Sequence, residues 1–369
     1  MRFLSRFMLI LALLATPGIA AHAQGAPYAV AGSATRDSAL IRQISDDIRS
    51  RMEKSGVPGA SITVMRDGNV IWSEGFGWAD VEQRVPVSAL TRFRVGSVSK
   101  PLTSVAVGLL VDAHKLDLDA PVQRYVPSFP KKRWPISTRL VAGHLAGIRH
   151  YKGDEFLMKE HFANVMDGLR IFENDSLLFE PGTKFAYSSY GWNLVSAVVE
   201  KASGIPFLRF MQDSVFTPLG MTHTVPDYVD SIVPFRARWY TGSADSGVVN
   251  APYVDNSYKW AGGGFLSTTE DLVRFGEGLL EGKLLADSTR ALLWTPQLMK
   301  NGTRSEYGIG WFVGKDKQGR TRVSHSGGSV GGTAYLVIYP EQHVVVALLC
   351  NSDAPFVGMA PGIAEKFVK

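Results

Sequence analysis

Apolar and polar residues alternate through "GASITVMRDGNVIWSEGFGWAD" on both sides of Asp67-Gly68, which predicts two antiparallel strands joined by a tight turn. Alternation returns near the far end. There "EYGIGWFVGKDKQGRTRVSHSG", "GGTAYLVIYP" and "HVVVALLCN" predict about three strands separated by Gly, Pro and charged turns, and "PGIAEKFVK" predicts a closing helix. Between these strand groups the period changes. Leu102, Val105, Ala106, Leu109 and Leu110 recur at helical spacing, and Val107 and Val111 fill the opposite face, so this helix is expected to be buried all round. Further helices are expected near 160–172, 191–203, 205–214, 269–280 and 286–296. The economical arrangement is an α+β fold. Its antiparallel sheet draws on residues about 40–94 and 300–369, a mostly helical lobe spans about 95–299, and a cleft lies where the two meet.

Composition adds few constraints. At 369 residues, with 45% apolar and 20% charged, the chain can bury a sizeable core. Its start, "MRFLSRFMLILALLATPGIAAHAQ", combines Arg2 and Arg6 with a short apolar run and Ala21-His22-Ala23. This pattern predicts a signal peptide over 1–23, export to periplasm or medium, a single domain over 24–369 and no membrane span after cleavage. Without Arg2 and Arg6 the charge is 37 basic against 34 acidic groups, too balanced to suggest nucleic acid. Cys350 is the sole cysteine, so no intrachain disulfide can form, and it is expected as a packed small hydrophobe. No cofactor motif appears. His144 and His150 lack metal-ligand spacing with any partner, so no catalytic metal is expected.

Two serines compete as a nucleophile. Gly327-Gly328-Ser329-Val330-Gly331 matches G-x-S-x-G, but the strand-to-helix turn that string requires is missing, because "TAYLVIYP" follows as a strand. Ser97 and Lys100 stand three apart at the start of the buried helix, where their side chains can meet. A serine hydroxyl needs a neighbouring base, and a partly desolvated lysine can serve as one. Downstream, "EPGTKFAYSSYGWNLV" places Tyr187-Ser188-Ser189 just before a helix, with Tyr190 as a competing tyrosine, and His325-Ser326-Gly327 ends a strand.

S-x-x-K, then Y-x-S, then H-x-G, in this order, resembles the serine β-lactamase and penicillin-binding protein superfamily, especially class C enzymes, D-alanyl-D-alanine peptidases and related esterases. The resemblance runs from about Gly56 to Asn351. "HLAGIRHY", "NSYKWAGGGFLSTTEDLVRFG" and "HSGGSVGG" are closer still to the mitochondrial serine β-lactamase-like proteins and their bacterial relatives. It implies a β-lactamase/transpeptidase-like fold and acylation of Ser97. Lys100 and Tyr187 would share the acid and base work, and Tyr187 would activate the deacylating water if nearby cations held its pKa down. The implied oxyanion donors are the Ser97 and Gly328 amides.

Departures from the β-lactamase pattern bear on the substrate. Ser189 stands where those enzymes usually carry asparagine, and His325 where they carry lysine, so the grip on a β-lactam amide and carboxylate is weakened. His325, partly charged near neutrality, is expected to hold an anionic group beside Ser326 and Gly327. Arg149 and His150 could add a cation at the cleft mouth, or Arg149 could simply pair with an acid. Trp260 and the Ala261–Gly264 run are expected as a cleft wall or an inter-lobe turn. The resulting expectation is a serine hydrolase acting on an ester, peptide or other small amide. The alternatives are a class C-like β-lactamase, a D-alanyl-D-alanine carboxypeptidase, or a non-catalytic penicillin-binding or scaffold protein.

Overall fold

The computed structural model describes residues 37–368, so the expected leader at 1–23 lies outside the described residues. A helix, α1 (Ser38–Ser55), precedes the first strand, and the sequence reading passed over it because its apolar stripe is thin. Ile44, Ile48 and Met52 are its buried apolar positions in a stretch otherwise rich in charge. The expected hairpin follows as β1 (Gly59–Arg66) and β2 (Asn69–Asp80). Asp67 and Gly68 both take positive φ, 52° and 74°, which suits the right-handed twist of the strands they join.

A short β3 (Val85–Pro86) edges the sheet, and the C-terminal segment supplies β4 (Phe312–Lys315), β5 (Thr321–Ser329), β6 (Gly332–Tyr339) and β7 (Val344–Cys350). The order is β3-β2-β1-β7-β6-β5-β4, antiparallel throughout, so the two ends of the chain meet at β1 and β7. Every residue of β7 is buried, because both faces of the sheet are covered. Val344, Val346, Leu348 and Cys350 pack with α1 and the closing helix at Ala360–Phe367, while Val345, Ala347 and Leu349 face the main core. Burying each large aliphatic side chain contributes roughly 1.5–3 kcal/mol. Cys350 is accordingly a packed thiol, 3.0 Å from the Thr333 hydroxyl.

Four further helices complete the frame that positions the site: α2 (Ser99–Asp112), α3 (Ser189–Ser203), α4 (Thr269–Leu280) and α5 (Ala360–Phe367). Most of α2 is buried, though Leu109 and Val111 keep partial exposure. The helix expected near 160–172 shrinks to a 3₁₀ turn at Asp167–Ile171. Asn164 Oδ1 accepts the Met166 and Asp167 amides at 2.9 and 3.0 Å, a side-chain substitute for helical bonding. The other two shorten to Phe207–Met211, continued by one π turn, and to Asp287–Leu293.

A small second sheet pairs Phe93–Arg94 with Leu266–Ser267, which fixes the approach to Ser97 beside the Gly-rich turn Trp260–Gly263. Arg94 anchors it, reaching Asp227 at 2.7 Å and the Val330 carbonyl at 2.8 Å, both interactions buried. Among the described residues no helix is long and apolar enough to cross a membrane.

Candidate active site

Ser97 sits in a 3₁₀ turn, Gly96–Val98, that feeds directly into α2. In such a turn residues three apart eclipse, so Lys100 still rises beside Ser97. Strand β5 lies hard against this turn. A Cβ on Gly327 would fall 2.0 Å from the Val95 carbonyl oxygen, and one on Gly96 would fall 2.7 Å from the Gly328 nitrogen. Side chains are therefore excluded at both positions, and the close approach brings the backbones of Ser97 and Gly328 to one side of the cleft.

Lys100 is fully buried. Its Nζ lies 2.9 Å from Ser97 Oγ, 3.2 Å from Ser189 Oγ and 2.7 Å from the Gly262 carbonyl oxygen. Loss of water, then repulsion from Lys259, hold its pKa well below the ordinary lysine value, so the neutral amine is favoured. A neutral amine has two N–H donors and one lone pair. The Gly262 carbonyl can only accept, Ser189 can accept the second N–H, and the lone pair is left for the Ser97 hydroxyl proton.

Tyr187 closes the other side, its hydroxyl hydrogen-bonded to Ser97 and Ser189. Its ring lies 4.8 Å from Lys100 Nζ. The expected downward shift of its pKa is not found. Burial pushes the phenol up, with no charged cation to offset it, so Tyr187 keeps its proton. Two histidines hold this loop in place: His144 Nδ1 accepts the Ser188 amide at 3.1 Å and His150 Nδ1 the Ser189 amide at 3.2 Å. Ser188 then caps α3, its hydroxyl donating to the Arg149 carbonyl at 2.7 Å and accepting from Gly191 at 3.0 Å. Tyr190, the competing tyrosine, is buried, donates to Glu155 at 2.9 Å and stacks on Phe172.

Several expected residues do other work. Ser329 is 3% exposed at the hairpin joining β5 to β6, strand on both sides, so the G-x-S-x-G elbow geometry is absent. His325 is 1% exposed and covered by the rings of Tyr187, Tyr307 and Phe312. Its Nδ1 donates to the Ser326 carbonyl at 2.6 Å, which leaves Nε2 to accept from the Tyr307 hydroxyl at 2.9 Å. Burial, the largest cause, lowers its pKa to about 3, so it is a neutral structural imidazole and does not grip an anion. Arg149 is spent on the acids Glu155, at 2.7 Å, and Asp175, and offers no charge to the cleft. Trp260 packs inward against Tyr228, and the Gly262-Gly263 backbone forms the wall instead. Ser326 is exposed and is not among the residues lining the cleft.

The cleft has a volume of about 210 Å³, with Ser97, Tyr187, Ser189, Lys259, Gly262 and Gly328 among its lining. Lys259 was missed by the sequence reading, although a lone lysine in "NSYKWAGGGF" was its visible signal. It is buried, and desolvation followed by Arg94 lowers its pKa to about 7, with Asp227 opposing. A larger surface pocket of about 330 Å³, around His114, Asp119, Arg124 and Arg139, includes none of these residues.

Comparisons with known proteins bear on the family and the fold. A family profile described as Beta-lactamase matches residues 44–366. The mouse (Mus musculus) serine beta-lactamase-like protein LACTB, mitochondrial, is 34% identical over 444 residues, spanning 89% of this chain and 80% of its own. Among solved structures, the octameric penicillin-binding protein homologue from Pyrococcus abyssi superposes with a TM-score of 0.74 at 25% identity, covering 88% of this chain and 75% of that one. A D-stereospecific amidohydrolase from Streptomyces sp. shares the fold with a TM-score of 0.73 at 22% identity, over 88% and 98% of the two chains.

Proposed function

The chain belongs to the β-lactamase family, and from that premise we propose that it is a serine acyl hydrolase that forms an acyl-enzyme at Ser97 on a small ester or amide. The observation that carries this reading is the buried Lys100, whose Nζ lies 2.9 Å from Ser97 Oγ and 2.7 Å from the Gly262 carbonyl oxygen, with loss of water holding its pKa well below the ordinary lysine value. In the first step the Lys100 amine takes the Ser97 proton as Oγ attacks the carbonyl carbon, and the backbone amides of Ser97 and Gly328 face the developing oxyanion. Collapse returns that proton from Lys100 to the leaving oxygen or nitrogen. Tyr187, still protonated and bonded to Ser97, relays a hydrogen bond and leaves the base role to Lys100. Water then enters, gives its proton to Lys100, and releases the acid and the Ser97 hydroxyl.

Two features favour an ordinary ester or amide over a β-lactam: Ser189 replaces the amide side chain, and His325 supplies no positive charge at the strand end. Export of the chain through its first 23 residues belongs to the same proposal. Parallel kinetics on p-nitrophenyl butyrate and nitrocefin test the substrate reading. Higher kcat/KM on the ester is expected, and nitrocefin turnover at the rate of a dedicated β-lactamase contradicts it.

A further inference from the structure

Lys259 reaches the cleft without an acidic partner. It is 2% exposed, and its Nζ lies 4.4 Å from the Phe156 ring centre, 5.1 Å from Tyr258 and 5.7 Å from Tyr151. Among the described residues no carboxylate forms an ion pair with it, and the acid that acts on it from a distance, Asp227, is taken by Arg94 and Asn256 at 2.7 and 2.8 Å. Removing an ammonium from water costs several kcal/mol, and aromatic faces return only about 0.5–2 kcal/mol. A buried, half-compensated cation lining a cleft is a site waiting for an anion.

Its stem also runs beside the nucleophile. A Cβ on Gly263 would lie 3.7 Å from the Gly96 carbonyl carbon and 3.7 Å from Lys259 Cδ. The cleft, about 210 Å³, is smaller than the usual ligand pocket of roughly 300–1,000 Å³, which suits a short chain. Of the lining residues Gly328 is exposed and Lys259 is buried, so a leaving group departs past Gly328 and the Lys259 end receives the acyl part.

We propose that Lys259, ringed by Tyr151, Phe156 and Tyr258, is a carboxylate-binding subsite, and that the substrate is a short ester or amide whose acyl chain ends in a carboxylate. This rests on the acyl-hydrolase reading of Ser97. The charged and titratable groups that act on Lys259 are Lys100, Arg94, His150 and Asp227; the one acid among them is held by Arg94 and Asn256, and a bound carboxylate supplies the direct ion pair that Lys259 lacks among the described residues.

The test compares mono-p-nitrophenyl glutarate with p-nitrophenyl butyrate, which share a leaving group and differ in the acyl charge. The ratio of their kcat/KM values is expected to fall about tenfold or more in Lys259→Met and to recover partly in Lys259→Arg. Any change that Lys259→Met makes through Lys100 affects both esters and cancels in the ratio. An unchanged ratio overturns the subsite. Binding without turnover supplies the second arm: monomethyl glutarate, but not dimethyl glutarate, is expected to raise the melting temperature of Ser97→Ala, and the shift is expected to vanish in Ser97→Ala/Lys259→Met. Equal shifts from both esters overturn the proposal. Turnover of neither p-nitrophenyl ester, with the binding contrast intact, overturns the hydrolase reading and leaves the subsite standing.

Discussion

Lys100 and Lys259 are buried alike, one behind Ser97 and one lining the cleft, yet their surroundings suit them to opposite tasks. Lys100 lies among three oxygen atoms, at 2.7, 2.9 and 3.2 Å, whose donor and acceptor needs fix the direction of its lone pair. Lys259 lies over three rings, 4.4 to 5.7 Å from their centres, and a π face attracts a cation without aiming its protons. Oxygen partners with fixed roles suit proton transfer; aromatic partners suit holding a charge. The lesson is that residue type alone does not assign a lysine its role.

The comparison breaks first at the reacting atoms. Ser97→Ala is expected to lower p-nitrophenyl butyrate turnover by about 10³-fold or more, and Lys100→Met by about 10²–10⁴-fold, on neutral and anionic esters alike. Ser329→Ala should keep most of the activity; initial rates on purified variants check all three.

Next in size is the buried pair behind Lys259. Arg94→Met leaves Asp227 charged and without its cation, at an expected cost of about 3–5 kcal/mol in a urea melt. A loss within about 1 kcal/mol would mean that Asn256, at 2.8 Å, satisfies Asp227 without the arginine.

A third prediction separates the two lysines by pH. Free-enzyme kcat/KM follows Lys259 at about 7, so the anionic-to-neutral ester ratio should fall as pH rises through that value, because the ammonium loses its proton. For the neutral ester, activity should rise with pH as Lys100 deprotonates. Lys259→Met should move that limb to higher pH, because the variant removes a repelling charge. An unmoved limb would show that the two lysines do not sense each other.

The smallest effect concerns His325. Its folded pKa of about 3 lies below the ordinary imidazole value of 6.5, so the unfolded chain binds the extra proton between them. The stability it contributes is complete above pH 6.5 and declines as pH falls towards 3. Melting temperatures from pH 7 to 4 should fall less steeply in His325→Gln, and His325→Lys should gain no carboxylate binding.

Much of this was legible along the chain. The Asp67-Gly68 hairpin, the apolar run of β7 and the stripe of α2 each follow from short-range periodicity, and S-x-x-K names two side chains three residues apart. Less legible were contacts made across the fold. His325 occupies a motif position, but the rings that cover it include Tyr307 and Phe312, and no spacing reveals that they close over it. Arg149 is followed six residues later by Glu155, yet its second acid, Asp175, lies in a bend beyond the helix expected near 160–172, where patterning gives no signal. Lys259 escaped notice for the same reason: its aromatic ring draws on Tyr151 and Phe156, about a hundred residues upstream.

The central claim, that Ser97 is the acylated nucleophile served by Lys100, is tested most directly by intact-mass analysis and peptide mapping after exposure to a fluorophosphonate. One adduct per chain on the peptide carrying Ser97 is expected, slowed strongly in Lys100→Met and absent in Ser97→Ala. An adduct on Ser329, or undiminished labelling of Ser97→Ala, would contradict the account.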